Sequence, residues 1–472
     1  MNAAMTPGTP GAPALDLIVV GAGLSGLVAA HRAQCAGLQV RVIDAAPRAG
    51  GVIGSARRDD FLFERGPNSA MDTSPLIGEL ITELGLESEL RWASAASNKR
   101  YVVRDGRLIP LPMSPGAFFA TPLFSANAKL GLLAEVFKGP SDPALEESIA
   151  QFVRRRLGDE FLDYAIDPFV SGIYAGDPEQ ISVKAAFPKL HALEQRWGSL
   201  IRGQILGARE RRRAKETAKN TAKSFSFLGG MQVLTDALAK AVGGVELQTR
   251  VTALERDPQG LYTVRADQQG QPVSWRARHV LLAMAAPAVA ELVRPHAADA
   301  AAALDAIGYA PVATVASAYR SADLRHPLDG FGCLLPGLEK RRVLGILFNS
   351  SMFEGRAPQG HALLTTFIGG RRQPDLPGMA EEQIAALAHA EHGALLGTRA
   401  DPLWQVVTRW PRAIPQYTLG HLTRVARAQV LEQALPGVHL CASWLGGVAV
   451  GDCVRNGHQV ALAVIAAHQR TV

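Results

Sequence analysis

Apolar and polar positions mark out the two ends of this chain more clearly than its middle. After Asp16 the run LIVV is continuously apolar, as a strand buried on both faces requires, and it breaks at Gly21-Ala22-Gly23. From Leu24 apolar residues recur at helical spacing, and Val40 to Ile43 reads as a second strand, so the unit is strand, turn, helix, strand. Near the other end, LPGVHLC reads as a strand, followed by the glycine-rich loop ASWLGGVAVG and a closing helix. The two ends are expected to meet. Between them, Ser74 and Pro75 suit the N-cap and first position of a helix, and SFSFLGGMQVLTDALAKAVGGVELQTRVTALERD reads as turn, helix and strand.

Length and charge narrow the classes. At 472 residues the chain exceeds a single hydrophobic core, so interleaved domains are expected. Its net charge of +6 is concentrated in the run Ala208 to Ser224, which is basic at helical spacing but has no aromatic residue on which bases could stack. A solvated helix or loop is the reading, and no nucleic acid is expected as a partner. Cys35, Cys333, Cys441 and Cys453 are scattered, without metal-ligand spacing, which suggests free thiols in a reducing compartment and no metal. The start MNAAMTPGTPGAPA lacks a signal-peptide pattern. The apolar run HVLLAMAAPAVAELV is interrupted by Pro287 and Glu291, so a cytoplasmic protein, soluble or on a membrane surface, is expected.

The first turn carries the clearest chemistry. Gly21 permits a tight turn, Gly23 lets backbone approach a pyrophosphate, and Gly26 lets helix and strand pack closely, while the helix offers unpaired N–H groups to phosphate. Asp44 ends the second strand, where a carboxylate can accept from ribose hydroxyls. This is a dinucleotide-binding pattern. The loop AAPRAGG then adds a guanidinium at Arg48 that can fork onto phosphate, with Gly50 and Gly51 allowing close passage of backbone. A turn at Gly66, Pro67, Asn68 and Ser69 can lay backbone amides against a ligand. At the C-terminal loop, a helix N-terminus can face a group on which negative charge develops.

Asp-x-x-x-Arg-x-Gly-Gly resembles the second signature of the flavoprotein superfamily that includes amine oxidases, phytoene desaturases and protoporphyrinogen oxidases, which usually has Glu where Asp44 stands. The resemblance implies an α/β fold: a Rossmann-type FAD-binding domain interleaved with an α+β substrate-binding domain and a mainly helical domain. The implied order is a tail at 1–14, FAD-binding segments at 15–90, 225–300 and 426–472, a substrate and helical membrane-facing segment at 91–224, and a substrate-binding segment at 301–425. It also implies FAD contacts from Ala22, Leu24, Ser25 and Val52, and from Val251 at the adenine end. Ser443, Val448, Ala449 and Val450 would line the flavin and its phosphate tail, with Trp410 near the ring.

Glu-x-Gly-Pro-Asn-Ser, Tyr-Ala-Gly-Asp-Pro and the ending Gly-Val-Ala-Val-Gly-Asp-Cys resemble the oxygen-dependent protoporphyrinogen oxidase branch. In that branch Arg100 would pair a propionate, Leu334, Leu347 and Phe367 would hold the pyrrole rings, and the backbone of Gly172 would face the macrocycle. The implied reaction passes a hydride from a meso carbon to the flavin, which oxygen reoxidises to give hydrogen peroxide. No general base is identified. Coproporphyrinogen oxidation, amine or carotenoid oxidation, and a non-enzymatic scaffold like the GTPase-escort proteins are the alternatives. Homodimerisation is implied only by the family, and the stretch LPMSPGAFFATPLFSANAKLGLLAEVF suits either a cap on the site or a membrane contact.

Overall fold

The structure is a computed structural model that describes residues 14–214 and 223–470. Most of the N-terminal tail, and residues 215–222 of the basic run, lie outside the described residues.

Strand β1 (Leu15–Val20), helix α1 (Leu24–Cys35) and strand β2 (Val40–Ile43) form the unit expected from the pattern. β1 lies in parallel between β2 and the second half of the strand Gln271–Leu282. Val245–Glu246 extends this sheet beyond β2, and Val438–Leu440 joins it on the far side of Gln271–Leu282. The first half of that long strand turns antiparallel, pairing with Tyr262–Gln268, which pairs with Thr249–Arg256. Both faces of β1 are covered. Leu17 and Val19 pack against α1 and the helices Gln232–Val242 and Val450–Gln469, while Ile18 and Val20 join a second core with Ala286–Val293 and Ala298–Asp305. That double burial is why LIVV lacks alternation, and each such side chain contributes about 1.5–3 kcal/mol.

The chain ends meet where the C-terminal helix crosses α1. A Cβ on Gly457 would stand 2.5 Å from the carbonyl oxygen of Ser25, so a larger residue would force these helices apart.

A second sheet runs in the order Trp404–Pro415, Tyr309–Arg320, His361–Gly369, Val343–Phe348, Gly332–Leu334, Tyr101–Arg104 and Arg107–Pro110. One face is closed by the helix Glu381–Leu396. Part of the other is closed by Phe61 and Phe63 of the hairpin Ser55–Glu64, which pack on Ala316, Ala318, Leu363 and Trp404. Between residues 115 and 214 lies a helical region whose core includes Phe124 stacked on Phe161, with centroids 4.4 Å apart.

One local expectation changes. Ser224–Phe227, read as a turn, is a strand between Ala70–Met71 and Leu90–Trp92. Its two phenylalanines alternate with serines, and all four residues are buried, so the period-two pattern prevails over the turn propensity of serine.

Candidate active site

The glycines of the first turn divide by what a side chain would meet. A Cβ on Gly21, whose φ is +115°, would lie 2.5 Å from the Ala283 carbonyl oxygen, and one on Gly26 would lie 2.1 Å from the Gly21 carbonyl oxygen. Both glycines are needed for packing. A Cβ on Gly23 would meet nothing within 4 Å among the described residues, although its backbone is ordinary extended chain at φ −72°. It is an open cradle at the N-cap of α1, and no side chain caps that helix. Helix Val450–Gln469, led by Ala449, also begins without a side-chain cap. Its first turns pack on the start of α1, so two sets of orphan N–H groups stand near one another, which suits a pyrophosphate.

Asp44 uses one carboxylate oxygen to accept from the Ala22 N–H at 2.6 Å and the other from Ala46 N–H at 2.8 Å. Each oxygen keeps a further lone pair for a ribose hydroxyl. The backbone of Asp44 accepts from Thr249 N–H at 2.9 Å, and Ala46 from Gln248 at 3.0 Å, which anchors the strand carrying Val251 beside the acid. Arg48 has a use that its motif did not reveal. Its guanidinium donates to the carbonyls of Ala49, Gly51 and Ile53, and burial, then repulsion from Arg65, hold its pKa below the usual value. It therefore shapes the Gly50–Gly51 loop, which Gly50 N–H ties to the Ala22 carbonyl at 2.7 Å. Val52, at the loop's edge, is exposed.

The turn at Gly66 packs on this loop, since a Cβ there would lie 2.0 Å from the Val52 carbonyl oxygen. The Asn68 amide donates to Gly66 O at 3.1 Å and accepts from Asn349 Nδ2 at 2.6 Å, while Pro67 and Ser69 are partly buried beside it. Trp410 Nε1 donates to Arg65 O at 2.7 Å, bringing the indole to the same turn. The pairing of Asn68 with Asn349 was not visible from sequence because it joins residues 281 positions apart without a local pattern.

At the C-terminal loop, Ser443 begins a short helix, Val448 packs against the helical region, and Ala449 and Val450 open the long helix. Leu24 and Ser25, at the start of α1, are buried against it. Cys441 and Cys453 both make hydrogen bonds with Ser25, and burial pushes the Cys441 thiol up to about 12 and raises that of Cys453. Neither offers a thiolate near neutral pH, consistent with packed thiols.

The expected substrate residues share one face of the second sheet. Leu334 lies opposite Gly345, Gly345 opposite Phe367, and Phe367 opposite Thr314, and in the next row Leu347 lies opposite Thr365. Gly345 leaves the wall low between Leu334 and Phe367. Helix Asp167–Tyr174 comes over this face, and a Cβ on Gly172 would stand 2.9 Å from Leu334 Cδ2. Thr314 Oγ1, in the same row, donates to Arg65 O at 3.4 Å, so the wall and the Gly66–Ser69 turn adjoin. At the sheet's other side, Val102 lies beside Leu334, with Arg100 two residues before it. Arg100 has no carboxylate partner among the described residues; its guanidinium lies 5.2 Å from the ring centre of Phe331, an aromatic that sequence reasoning missed. Solvent reaches the side chain, yet the surrounding protein desolvates it and lowers its pKa. By contrast, the Arg372 guanidinium is paired with Asp167.

The fold and this cradle are those of a flavin-dependent oxidoreductase: the chain matches the family of flavin containing amine oxidoreductases over residues 24–465 and belongs to it. Within that family it is related to protoporphyrinogen oxidases. It is 33% identical to the chloroplastic protoporphyrinogen oxidase of Nicotiana tabacum, over 96% of this chain and 86% of that one. It is 26% identical to the coproporphyrinogen III oxidase of Bacillus subtilis, over 93% and 96% of the two chains. Among solved structures, an Exiguobacterium sp. 255-15 protein provisionally assigned as a protoporphyrinogen oxidase superposes with a TM-score of 0.80 at 25% identity, covering 97% of this chain and all of that one.

Proposed function

We propose that the chain oxidises protoporphyrinogen IX to protoporphyrin IX, using FAD as the cofactor and oxygen as the final acceptor. The observation that carries this reading is an apolar wall of Leu334, Leu347 and Phe367 beside a flavin-side turn, with Arg100 at its edge as a cation that has no carboxylate partner among the described residues. A flat greasy macrocycle with propionates on one side fits such a wall. FAD, when bound, supplies the acceptor for the substrate's hydride. The chain's own residues bind and orient. Asp44 and the two helix N-termini would hold the ribose and pyrophosphate, Arg100 a propionate, and the wall would exclude water from the ring carbons.

Arg100→Leu is expected to raise KM for protoporphyrinogen roughly 10- to 100-fold, about 1.4–2.7 kcal/mol, with a smaller change in kcat. The assay follows porphyrin fluorescence under air, with coproporphyrinogen in parallel. A coproporphyrinogen brings more propionates, and Arg372 is already neutralised by Asp167, so the dicarboxylate should be the better substrate. Equal KM values for variant and wild type would remove Arg100 from the site. Faster turnover of coproporphyrinogen would reassign the substrate.

The same reading includes a lipid surface. Met113, Phe119, Leu130, Leu133 and Phe137 are exposed, Phe137 by 84%, and over residues 111–141 the only acid, Glu135, is fully buried while Lys129 and Lys138 remain. Among the described residues no helix is long and apolar enough to cross a membrane. Apolar side chains with lysines and no exposed acid suit the surface of an anionic bilayer. Flotation with phosphatidylglycerol vesicles should carry the wild type upward and leave Leu133→Asp/Phe137→Asp behind. Equal flotation of the two would rule this surface out.

A further inference from the structure

The loop Ser443–Ala449 leads from the strand Val438–Leu440 into the C-terminal helix, and it is held by residues from outside the flavin-binding segments. Tyr417 follows the strand Trp404–Pro415 and is 3% exposed. Its hydroxyl donates to the carbonyl of Ser443 and accepts from the N–H of Gly447 at 2.7 Å, so one phenol clasps both ends of the bend. Four residues on, His421 stacks on Tyr417 with centroids 4.1 Å apart, and its Nε2 lies 2.9 Å from the carbonyl oxygen of Trp444. Burial keeps this imidazole neutral, with its pKa down at about 4, so Nε2 carries the proton and donates. The Trp444 indole in turn donates to Met284 O at 3.0 Å.

The clasp also reaches the substrate side. Tyr417 packs against Tyr174 with ring centroids 5.6 Å apart, and its carbonyl accepts from Ser182 N–H at 2.8 Å. Tyr174 is the last residue of the helix that carries Gly172 over Leu334. One side chain therefore joins the helix over the wall to the loop that opens toward the cofactor.

We propose that Tyr417 is a positioning residue, which sets the backbone of the Ser443–Ala449 loop for the flavin and couples that loop to the substrate wall. Without the hydroxyl, the Ser443 carbonyl and the Gly447 N–H lose their common partner, and the bend can open. The ring, its stacking and the fold remain. This inference rests on the flavin reading alone and is independent of which substrate is oxidised.

The test uses the full chain, stripped of cofactor and titrated with FAD. Tyr417→Phe should raise the FAD dissociation constant on the order of 10-fold, a change of about 1.4 kcal/mol, and speed amide hydrogen exchange in the peptide spanning Ser443 to Ala449. His421→Phe keeps a ring for stacking and loses the bond to Trp444, so it should shift both readouts the same way. The control is Tyr319→Phe, which removes a hydroxyl 2.9 Å from His389 and 3.0 Å from His392 in the core on the other side of the second sheet. It should leave FAD affinity and loop exchange unchanged. If Tyr417→Phe binds FAD as the wild type does, or if Tyr319→Phe weakens binding equally, the positioning role is overturned. If the wild type itself fails to bind FAD, the flavin reading fails first.

Discussion

Gly23→Val is expected to give a folded protein that binds flavin far more weakly than the wild type. The reason lies in the difference between the three glycines of the turn. At Gly21 and Gly26 a side chain would collide with backbone carbonyls at 2.5 and 2.1 Å, so valine at either position breaks the packing of β1, α1 and Gln271–Leu282. At Gly23 the backbone is extended and a Cβ meets nothing within 4 Å, so valine costs the cofactor-free protein only the modest difference between N-cap residues, about 1 kcal/mol. A branched side chain there fills open space at the N-terminus of α1. FAD affinity should fall at least roughly 100-fold, about 2.7 kcal/mol. Thermal unfolding of the stripped proteins checks the first half, and FAD titration followed by visible absorbance checks the second. A yellow Gly23→Val protein with full flavin occupancy would mean that the pyrophosphate lies elsewhere.

How legible this was depended on whether a feature is local. The run before Gly21, the helical spacing after Leu24 and the acid at Asp44 are contiguous, and they fold as their pattern dictates. Arg48 was visible as a charge beside two glycines, but its hydrogen bonds to three carbonyls of its own loop were not, because an arginine fork suits carbonyls as well as phosphate. The apolar wall proposed for the substrate could not be read from periodicity at all. Leu334, Leu347 and Phe367 come together through strand register, and only resemblance named them beforehand. Asn349, Phe331 and Tyr417 were missed for the same reason: each acts across a long separation, and a buried amide or aromatic carries no local mark of its partner. The tyrosine, alanine and glycine of Tyr-Ala-Gly-Asp-Pro prove to be held by residues just past two strands of the second sheet and by the helical region. The Tyr174 carbonyl accepts from Gln416 at 2.7 Å and that of Ala175 from Arg371 N–H at 2.8 Å, while a Cβ on Gly176 would lie 2.3 Å from Ile181.

Arg156→Met should cause the largest loss of stability, and with an unusual pH dependence. Arg156 is fully buried and donates to Glu194 at 2.7 Å, to Glu135 at 3.1 Å and to the carbonyls of Lys138 and Gly198. Glu135, also fully buried, accepts from the Ser199 hydroxyl and from the N–H groups of Leu200 and Ile201, and so caps the helix Leu200–Ala214. Replacing a buried ion network wholesale can be neutral, but removing one partner strands the others in a poorly solvating interior and costs about 3–5 kcal/mol. Burial alone would raise the Glu194 carboxyl; the hydrogen bonds from Arg155 and Arg156 outweigh it and hold its pKa below the ordinary range. A depressed carboxylate stabilises the native state above its unfolded pKa of about 4.3, and that contribution is lost as pH falls through the depressed value. In Arg156→Met, Glu194 keeps Arg155 but loses the second donor that depresses its carboxyl, while Glu135 loses its cation. With that donor gone, less of the Glu194 contribution is present above its unfolded pKa, so the deficit against wild type is greatest near neutral pH and shrinks as pH falls below about 4.3. Urea unfolding at several pH values measures this directly, and Arg156→Met/Glu135→Gln should recover part of the loss at neutral pH by removing the carboxylate left without its cation. A deficit below about 1 kcal/mol, or one that grows as pH falls, would be incompatible with a cation that neutralises two buried carboxylates. Because Glu135 sits between the exposed Leu133 and Phe137, the same variant should also lose flotation with anionic vesicles.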